Sequence, residues 1–472
     1  MNVASDFLHR LFEALDRAEV EYCLLRGYDE LLTPAVMQEI DLLSLRAHRA
    51  RFEAAVAELG FVSWPAWGHA PHRFYVAYDP AGDCWFKLDV VESLRVGSPV
   101  RCLALDLHTA LLRRRRRHGP TWILSAEDEL LTLLLHCVLD KRDFRPAHRL
   151  RLMALWREIS GEPETQKRLF ATLAQELGRW PMLAVAQGFD LNDLEDLMRQ
   201  RRRWTRRLFW RQPLLATGRT LGAIGLRRAR RLLFACRRHG LGTVLLAPDG
   251  GGKSTLAQAL ARDPWLRARV VYMGGNAAER AFRLPMRGWI ERRRRATRGV
   301  SRHLRPLWGL LTAAHTLAED WCRATTGRLH VLQGRFVVYD RFFYDTYLSP
   351  RGNSRRLRLR RWLMQRSCPA PDLVLLLDAP GEVLHRRKGE HTPAMLEKQR
   401  HALKSLGEHL PHFAVLDTTA GADLVRRHAI AHIWERVATR WGRGRGVAWR
   451  NPESQTLDAA PLTAGERARV IS

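Results

Sequence analysis

Apolar residues recur three and four apart over residues 4–18 (Phe7, Leu8, Leu11, Phe12, Leu15), which predicts an amphipathic helix. Glu21 to Tyr28 then reads as a strand ending in a turn, Glu39 to Leu45 as a second strand, and Arg49 to Leu59 as a helix. Phe74 to Tyr78 and Trp85 to Val91 flank Pro80-Ala81-Gly82-Asp83 as the two arms of a β-hairpin. After residue 113 the spacing becomes helical. Ser125 reads as an N-cap with Glu127 and Asp128 in the first turn, Leu130 to Leu139 carries the apolar stripe, and Arg149 to Trp156 and Gln166 to Leu177 repeat it. Strands return at Thr243–Leu246, Ala268–Gly275, Arg335–Tyr339, Asp372–Asp378 and Phe413–Asp417. Helical stretches separate them: Leu256–Ala261, residues 306–320, Glu382–Lys388, one that Thr392 caps ahead of Pro393, and Ala422–Thr439. A run as continuously apolar as Leu373–Leu377 is what a parallel strand buried on both faces requires. The C-terminal half is therefore expected to be α/β with a parallel sheet, and the N-terminal half α+β with a helical subdomain.

One junction in that alternation carries chemistry. The strand Thr243–Leu246 runs into Ala247-Pro248-Asp249-Gly250-Gly251-Gly252-Lys253-Ser254-Thr255, and a helix follows at once. Glycines let the backbone curl so that several N–H groups face one anion, and the helix start adds its positive end. This is the phosphate-binding loop (P-loop, Walker A) pattern, with Ala247 where its first glycine usually stands. It predicts a nucleotide site lined by Asp249, Gly250, Gly251, Gly252, Lys253, Ser254 and Thr255, with Lys253 on the β/γ-phosphates and Ser254 on Mg²⁺.

Charge widens the choice of partners without naming one. The 472 residues hold 78 Lys+Arg against 49 Asp+Glu, a net +29. Such a balance favours anionic partners, or is spread over many solvated faces. No aromatic-interleaved nucleic-acid motif accompanies it. Anionic membrane surfaces, acidic glycans and small anionic substrates remain as candidates, and a homodimer is also open. From Arg201 to Arg238, arginines alternate with Trp204, Phe209, Trp210 and leucines. This stretch is read as a connector, the other reading being a basic amphipathic helix on a membrane surface or an acidic substrate. Seven scattered cysteines, with no CxxC pair, argue against a disulfide framework and structural zinc. No long apolar run and no signal-type N-terminus is present, so a cytoplasmic location is expected, with peripheral membrane contact left open.

Residues 240–440 resemble the thymidylate kinase-like branch of the P-loop nucleoside monophosphate kinases. The resemblance is carried by Pro248 to Thr255, by Tyr339-Asp340-Arg341-Phe342, by Pro371-Asp372-Leu373-Val374 with Leu377-Asp378-Ala379-Pro380, and by the basic segment His385 to His391, continued at Glu397-Lys398-Gln399-Arg400. It implies an ATP- and Mg²⁺-dependent phosphotransferase. Lys253 would hold the donor phosphates, Ser254 and Asp340 the metal, and Arg341 the acceptor's anionic group. Arg386, Arg387 and Lys388 would form a lid, Asp249 would contact an acceptor hydroxyl, and Asp378 would be structural. Met273-Gly274-Gly275-Asn276 stands where thymidylate kinases usually carry an Arg-Glu-Pro-Gly type segment, and the insertion after it is long and basic. The acceptor is therefore a nucleotide or another small anionic or hydroxyl compound.

Roughly residues 1–100 resemble the nucleotidyltransferase superfamily at Arg26-Gly27, at Glu39 and Asp41 one residue apart on a strand, and at Asp89 on a later strand. In that family three such carboxylates hold Mg²⁺, which makes Glu39, Asp41 and Asp89 candidate ligands. His136 and Asp140, four apart on a helix, are a weaker candidate for a metal pair. The domain plan is then 1–112 nucleotidyltransferase-like, 113–199 helical, with the five-arginine run Arg113–Arg117 as punctuation, 200–239 connector, 240–440 kinase-like, and 441–472 a disordered tail. Rival functions are a nucleotidyltransferase with a regulatory P-loop domain, and a non-enzymatic nucleotide-gated binding protein.

Overall fold

The computed structural model describes residues 3–28, 36–178, 180–237, 240–273, 288–289, 292–293, 305–344, 355–368 and 370–442. Gly274, Gly275, Asn276, most of the arginine-rich stretch 286–305 and the tail from 443 onward lie outside them. The chain divides into two compact units, one carrying Met1–Leu233 and the other Phe234–Val437.

The first unit opens with α1 (Val3–Arg17), β1 (Tyr22–Leu24), β2 (Met37–Ser44), α2 (Arg49–Glu58), β3 (Val62–Trp64), β4 (His72–Asp79) and β5 (Cys84–Val91). There follow β6 (Arg95–Val96), β7 (Leu103–Ala104), α3 (His108–Arg114), β8 (Arg116–His118) and β9 (Thr121–Ile123). Seven strands make one mixed sheet in the order β3-β4-β5-β2-β1-β9-β8, and β6 and β7 form a separate two-stranded sheet. The expected hairpin is β4–β5, with Tyr78 opposite Trp85. The stripe of α1 (Phe7, Leu8, Leu11, Phe12, Leu15) packs on the sheet's apolar side with Tyr22, Ile40, Leu42, Phe86 and Leu88. Helices α4 (Ala126–Leu135), α5 (Pro146–Ser160), α6 (Pro163–Leu177), α7 (Trp180–Asp190), α8 (Leu194–Arg211) and α9 (Pro213–Arg237) complete the unit, and a π-helical turn, His136–Lys141, extends α4.

Arg113–Arg117 does not run through a linker. It closes α3 and forms β8, and β9 joins the sheet through Leu24↔Ile123. Each of three arginines meets a specific neighbour: Arg114 pairs with buried Asp128, Arg117 with Asp16, and Arg115 stacks over Trp122. The acids opening α4 are likewise not a solvated cap. Glu127, Asp128 and Glu129 are buried and paired with Arg168, Arg114 and Arg151, and Ser125 Oγ donates to the Asp128 carboxylate rather than capping the helix. Ion pairs between these buried acids and partly exposed arginines tie α3, α5 and α6 to α4.

The second unit is built on β10 (Gly242–Leu246), β11 (Arg269–Tyr272), β12 (Val337–Asp340), β13 (Leu373–Asp378) and β14 (Phe413–Asp417). All neighbours pair parallel, in the order β11-β12-β10-β13-β14. The helices are α10 (Lys253–Arg262), α11 (Arg305–Leu332), α12 (Arg355–Ser367), α13 (Gly381–Lys388), α14 (Pro393–Gly407) and α15 (Ala422–Trp441). Every residue of the central strands β10 and β13 is buried, as the unbroken apolar runs demand. Thr392 caps α14 from its side chain, with Pro393 in the first turn. The chain order reverses between β10 and β12 or β13, so the loops beyond the strands' carboxyl ends border a crevice where ligands bind in open α/β sheets.

Candidate functional site

The loop between β10 and α10 sits at that crevice. Pro248 has no N–H and cannot continue the ladder, so the strand ends and the chain turns, closed by Gly251 N–H donating to Pro248 O at 3.2 Å. Gly250 (φ 86°) and Gly252 (φ 87°) occupy the left-handed region that side chains avoid. A Cβ on Gly250 would stand 2.7 Å from Leu384 O. The tightness of that approach seats α13 directly on the loop.

Lys253 begins α10 and is buried. Its ammonium donates to Ala247 O at 2.7 Å and Pro248 O at 3.1 Å, folding the side chain back over the loop. The helix start supplies N–H groups with no intrahelical partner. Ser254, next along, donates from Oγ to Asp340 Oδ2 at 3.0 Å. Asp340 is the last residue of β12, held in register with Leu245 and Tyr272 on both sides. It is 5% exposed, and its Oδ1 is buried with no hydrogen-bond partner. Thr255 is exposed beside Ser254.

Arg341 follows in a left-handed conformation (φ 66°), unusual for a residue with a Cβ. That twist accompanies its bond to the loop carboxylate: Nη2 donates to Asp249 Oδ1 at 3.0 Å. Lys388 Nζ lies 3.8 Å and His391 Nε2 3.5 Å from the same carboxylate. Burial pushes Asp249 up, but Lys253, Arg341 and Lys388 outweigh it and hold the carboxyl below its ordinary range. Asp249 is thus an anion inside a ring of cations.

The lid residues divide. Arg386 is exposed at the end of α13, whereas Arg387 donates to Thr418 Oγ1 (3.0 Å) and Thr418 O (2.8 Å) after β14. Asp378 receives Arg400 at 2.5 Å and 3.0 Å and Lys404 at 2.9 Å. His391 as a partner of Asp249 and Lys404 as a partner of Asp378 were not legible in the spacing, because each meets its acid only through the packing of α13 and α14.

In the first unit, Asp41 and Asp89 stand directly opposite each other on the parallel pair β2–β5, while Glu39 aligns with Lys87. Each acid has a partner: Lys87 donates to Glu39 at 2.6 Å, Arg26 to Asp41 at 2.6 Å, and His72 bonds Asp89. Burial raises the Asp41 carboxyl, and Arg26 more than reverses it. His136 Nδ1 meets Asp140 Oδ2 at 3.1 Å. Among the described residues no group of three His, Cys, Asp or Glu gathers as a metal cage.

No protein-family model and no curated protein matches the chain. Among solved structures it is similar to the thymidylate kinase of Candida albicans, at 17% identity and a TM-score of 0.30, over 41% of this chain and 90% of that one. The five-stranded parallel sheet with its glycine loop fits a P-loop kinase-like domain. No described helix is long and apolar enough to cross a membrane.

Proposed function

We propose that the chain is an ATP- and Mg²⁺-dependent phosphotransferase of the thymidylate kinase-like kind, moving the γ-phosphate to a nucleotide or another small anionic or hydroxyl acceptor. The observation that carries this reading is the convergence of Lys253, Ser254, Asp340, Arg341 and Asp249 at the ends of β10 and β12. A buried carboxylate oxygen without a partner, beside a serine hydroxyl at a phosphate loop, suits a hard cation and its waters. Ser254 and Asp340 are therefore the residues that would hold Mg²⁺, which supplies charge neutralisation on the transferring phosphoryl group when bound.

The protein's own part is positioning and electrostatics. Lys253 exchanges two loop carbonyls for phosphate oxygens, and the loop amides and the start of α10 hold the same anion. Asp249, kept ionised by its cations, accepts a hydrogen bond from an acceptor hydroxyl. Arg341 turns to the acceptor's anionic group, and Arg386 and Lys388 meet charge that develops on the far side. Transfer of label from γ-labelled ATP to an acceptor, in nucleoside monophosphates or a small-molecule extract, tests this. Label that moves with the wild type but not with Lys253→Ala supports the reading, and ATP binding with no labelled acceptor overturns it.

Nucleotidyl transfer in the first unit is the second reading, and the apposition of Asp41 and Asp89 favours it. Glu39→Ala with Asp41→Ala separates the two, since γ-phosphate transfer survives that change under the first reading.

A further inference from the structure

The first unit contains a polar cavity of about 240 Å³ that the phosphotransfer reading does not use. Its walls include Arg101, Lys141, Arg227, His72, Asp89 and Asp140. We propose that this cavity binds a small molecule bearing a phosphate group.

The charge around it is lopsided. The turn between β6 and β7 is clasped by three arginines from three places in the chain, each on a neutral carbonyl. Arg142 donates to Ser98 O at 2.8 Å, Arg219 to Cys102 O at 3.2 Å, and Arg227 to Pro99 O at 2.9 Å and Gly68 O at 2.8 Å. Carbonyl partners orient a guanidinium without cancelling its charge. Lys141 is exposed at the mouth, with no ion-pair partner among the described residues. Arg95, on β6, is pushed below its ordinary range first by burial and then by the neighbouring Arg219.

In the lining itself, Arg101, Lys141 and Arg227 face two acids, Asp89 and Asp140, whose oxygens are unequally occupied. Asp140 takes the Gly97 N–H at 2.7 Å, His136 at 3.1 Å and Arg101 at 3.1 Å, so both of its oxygens already have partners. Asp89 gives one oxygen to His72 and keeps the other for the cavity. The His72 ring lies between Asp89 and Arg101, one ring nitrogen on each, and fixes where both side chains stand on the cavity wall. A recess with fixed cations on walls of low dielectric concentrates an anion. Arg101, Lys141 and Arg227 meet the phosphate, and the free oxygen of Asp89 accepts a hydroxyl carried on the same molecule.

The test uses the full-length Lys253→Ala protein, in which binding at the phosphate loop is weakened, titrated calorimetrically with inorganic phosphate, a hexose 1-phosphate and the free hexose. Saturable binding of the phosphorylated compounds but not of the hexose is expected. Lys141→Glu, an exposed position, should lower that affinity at least about tenfold, the worth of one charge-assisted bond. A tighter hexose 1-phosphate than phosphate assigns Asp89 the ligand's hydroxyl, and equal affinities assign the cavity to phosphate alone. No saturable binding, or binding that Lys141→Glu leaves unchanged while its unfolding midpoint matches the parent, overturns the proposal. ATP binding by Lys141→Glu in the otherwise native chain reports the phosphate loop separately, so the two sites fail independently.

Discussion

Ser254 and Asp340, 86 positions apart in the chain, share a 3.0 Å hydrogen bond because parallel pairing of β10 with β12 delivers both to one end of the sheet. The bond occupies one carboxylate oxygen and leaves the other buried and unpartnered. Asp340→Asn keeps the shape and removes the charge. It should raise the Mg²⁺ concentration needed for half-maximal phosphate transfer by about tenfold or more, with ATP affinity in the absence of metal little changed. A Mg²⁺ titration of turnover checks this; an unchanged midpoint would remove Asp340 from the metal site.

Lys253 is held by two carbonyls that a methionine cannot engage. Lys253→Met should cost about 10² to 10³ in turnover, as losing one preorganised donor does. Folding should be preserved, because α10 keeps its apolar anchors Leu256, Ala257 and Leu260. Turnover and the thermal midpoint, measured together, separate the two effects.

Gly250→Ala should do the opposite. A Cβ there meets both the left-handed backbone and the Leu384 carbonyl. The strain is about 1–2 kcal/mol, and a fall of several degrees in the unfolding transition of the second unit reads it.

What was legible in the sequence follows from how local each signal is. All five strands of the parallel sheet announced themselves, since continuous apolar runs and a glycine loop need only neighbouring residues. The short strands β3, β6, β7, β8 and β9 did not, for two or three residues carry no period. Arg113–Arg117 read as punctuation because a charge run looks solvated until its buried partners, such as Asp128, arrive from elsewhere in the chain. The i, i+2 spacing put Glu39 and Asp41 on one face of β2, but only the register showed that Asp41 meets Asp89 while Glu39 meets Lys87. Pairwise closeness across strands is a tertiary fact.

His136 gives a pH prediction. Burial pushes it down to about 4 from an ordinary 6.5, with Arg26 and Arg101 adding to the push and the bond to Asp140 opposing it. Between those values the unfolded chain binds a proton that the folded chain refuses, so stability is full above 6.5 and falls as pH drops toward 4. The loss from this one group reaches up to about 3 kcal/mol. The unfolding midpoint of the first unit, followed from pH 7 to 4, should fall more steeply in the wild type than in His136→Gln, which has no proton to gain. Parallel curves would rule out the buried neutral imidazole.

Arg386 and Arg387 are adjacent in the lid segment but lead to different expectations. Arg387 spends both terminal nitrogens on Thr418, whose own hydroxyl is bonded to Asp378 O, so it ties α13 to the turn after β14. Arg387→Ala strands the Thr418 carbonyl and should cost about 1–2 kcal/mol of stability, with kcat at low temperature close to native. Arg386 is exposed and holds nothing comparable in place. Its charge is available to phosphate, and Arg386→Ala should leave the unfolding midpoint unchanged while lowering kcat. Arg386→Lys, which restores the charge without the bidentate fork, should recover only part of it. The reverse pattern, stability lost at 386 and turnover lost at 387, would mean that α13 rotates on closing and exchanges the roles of its two arginines.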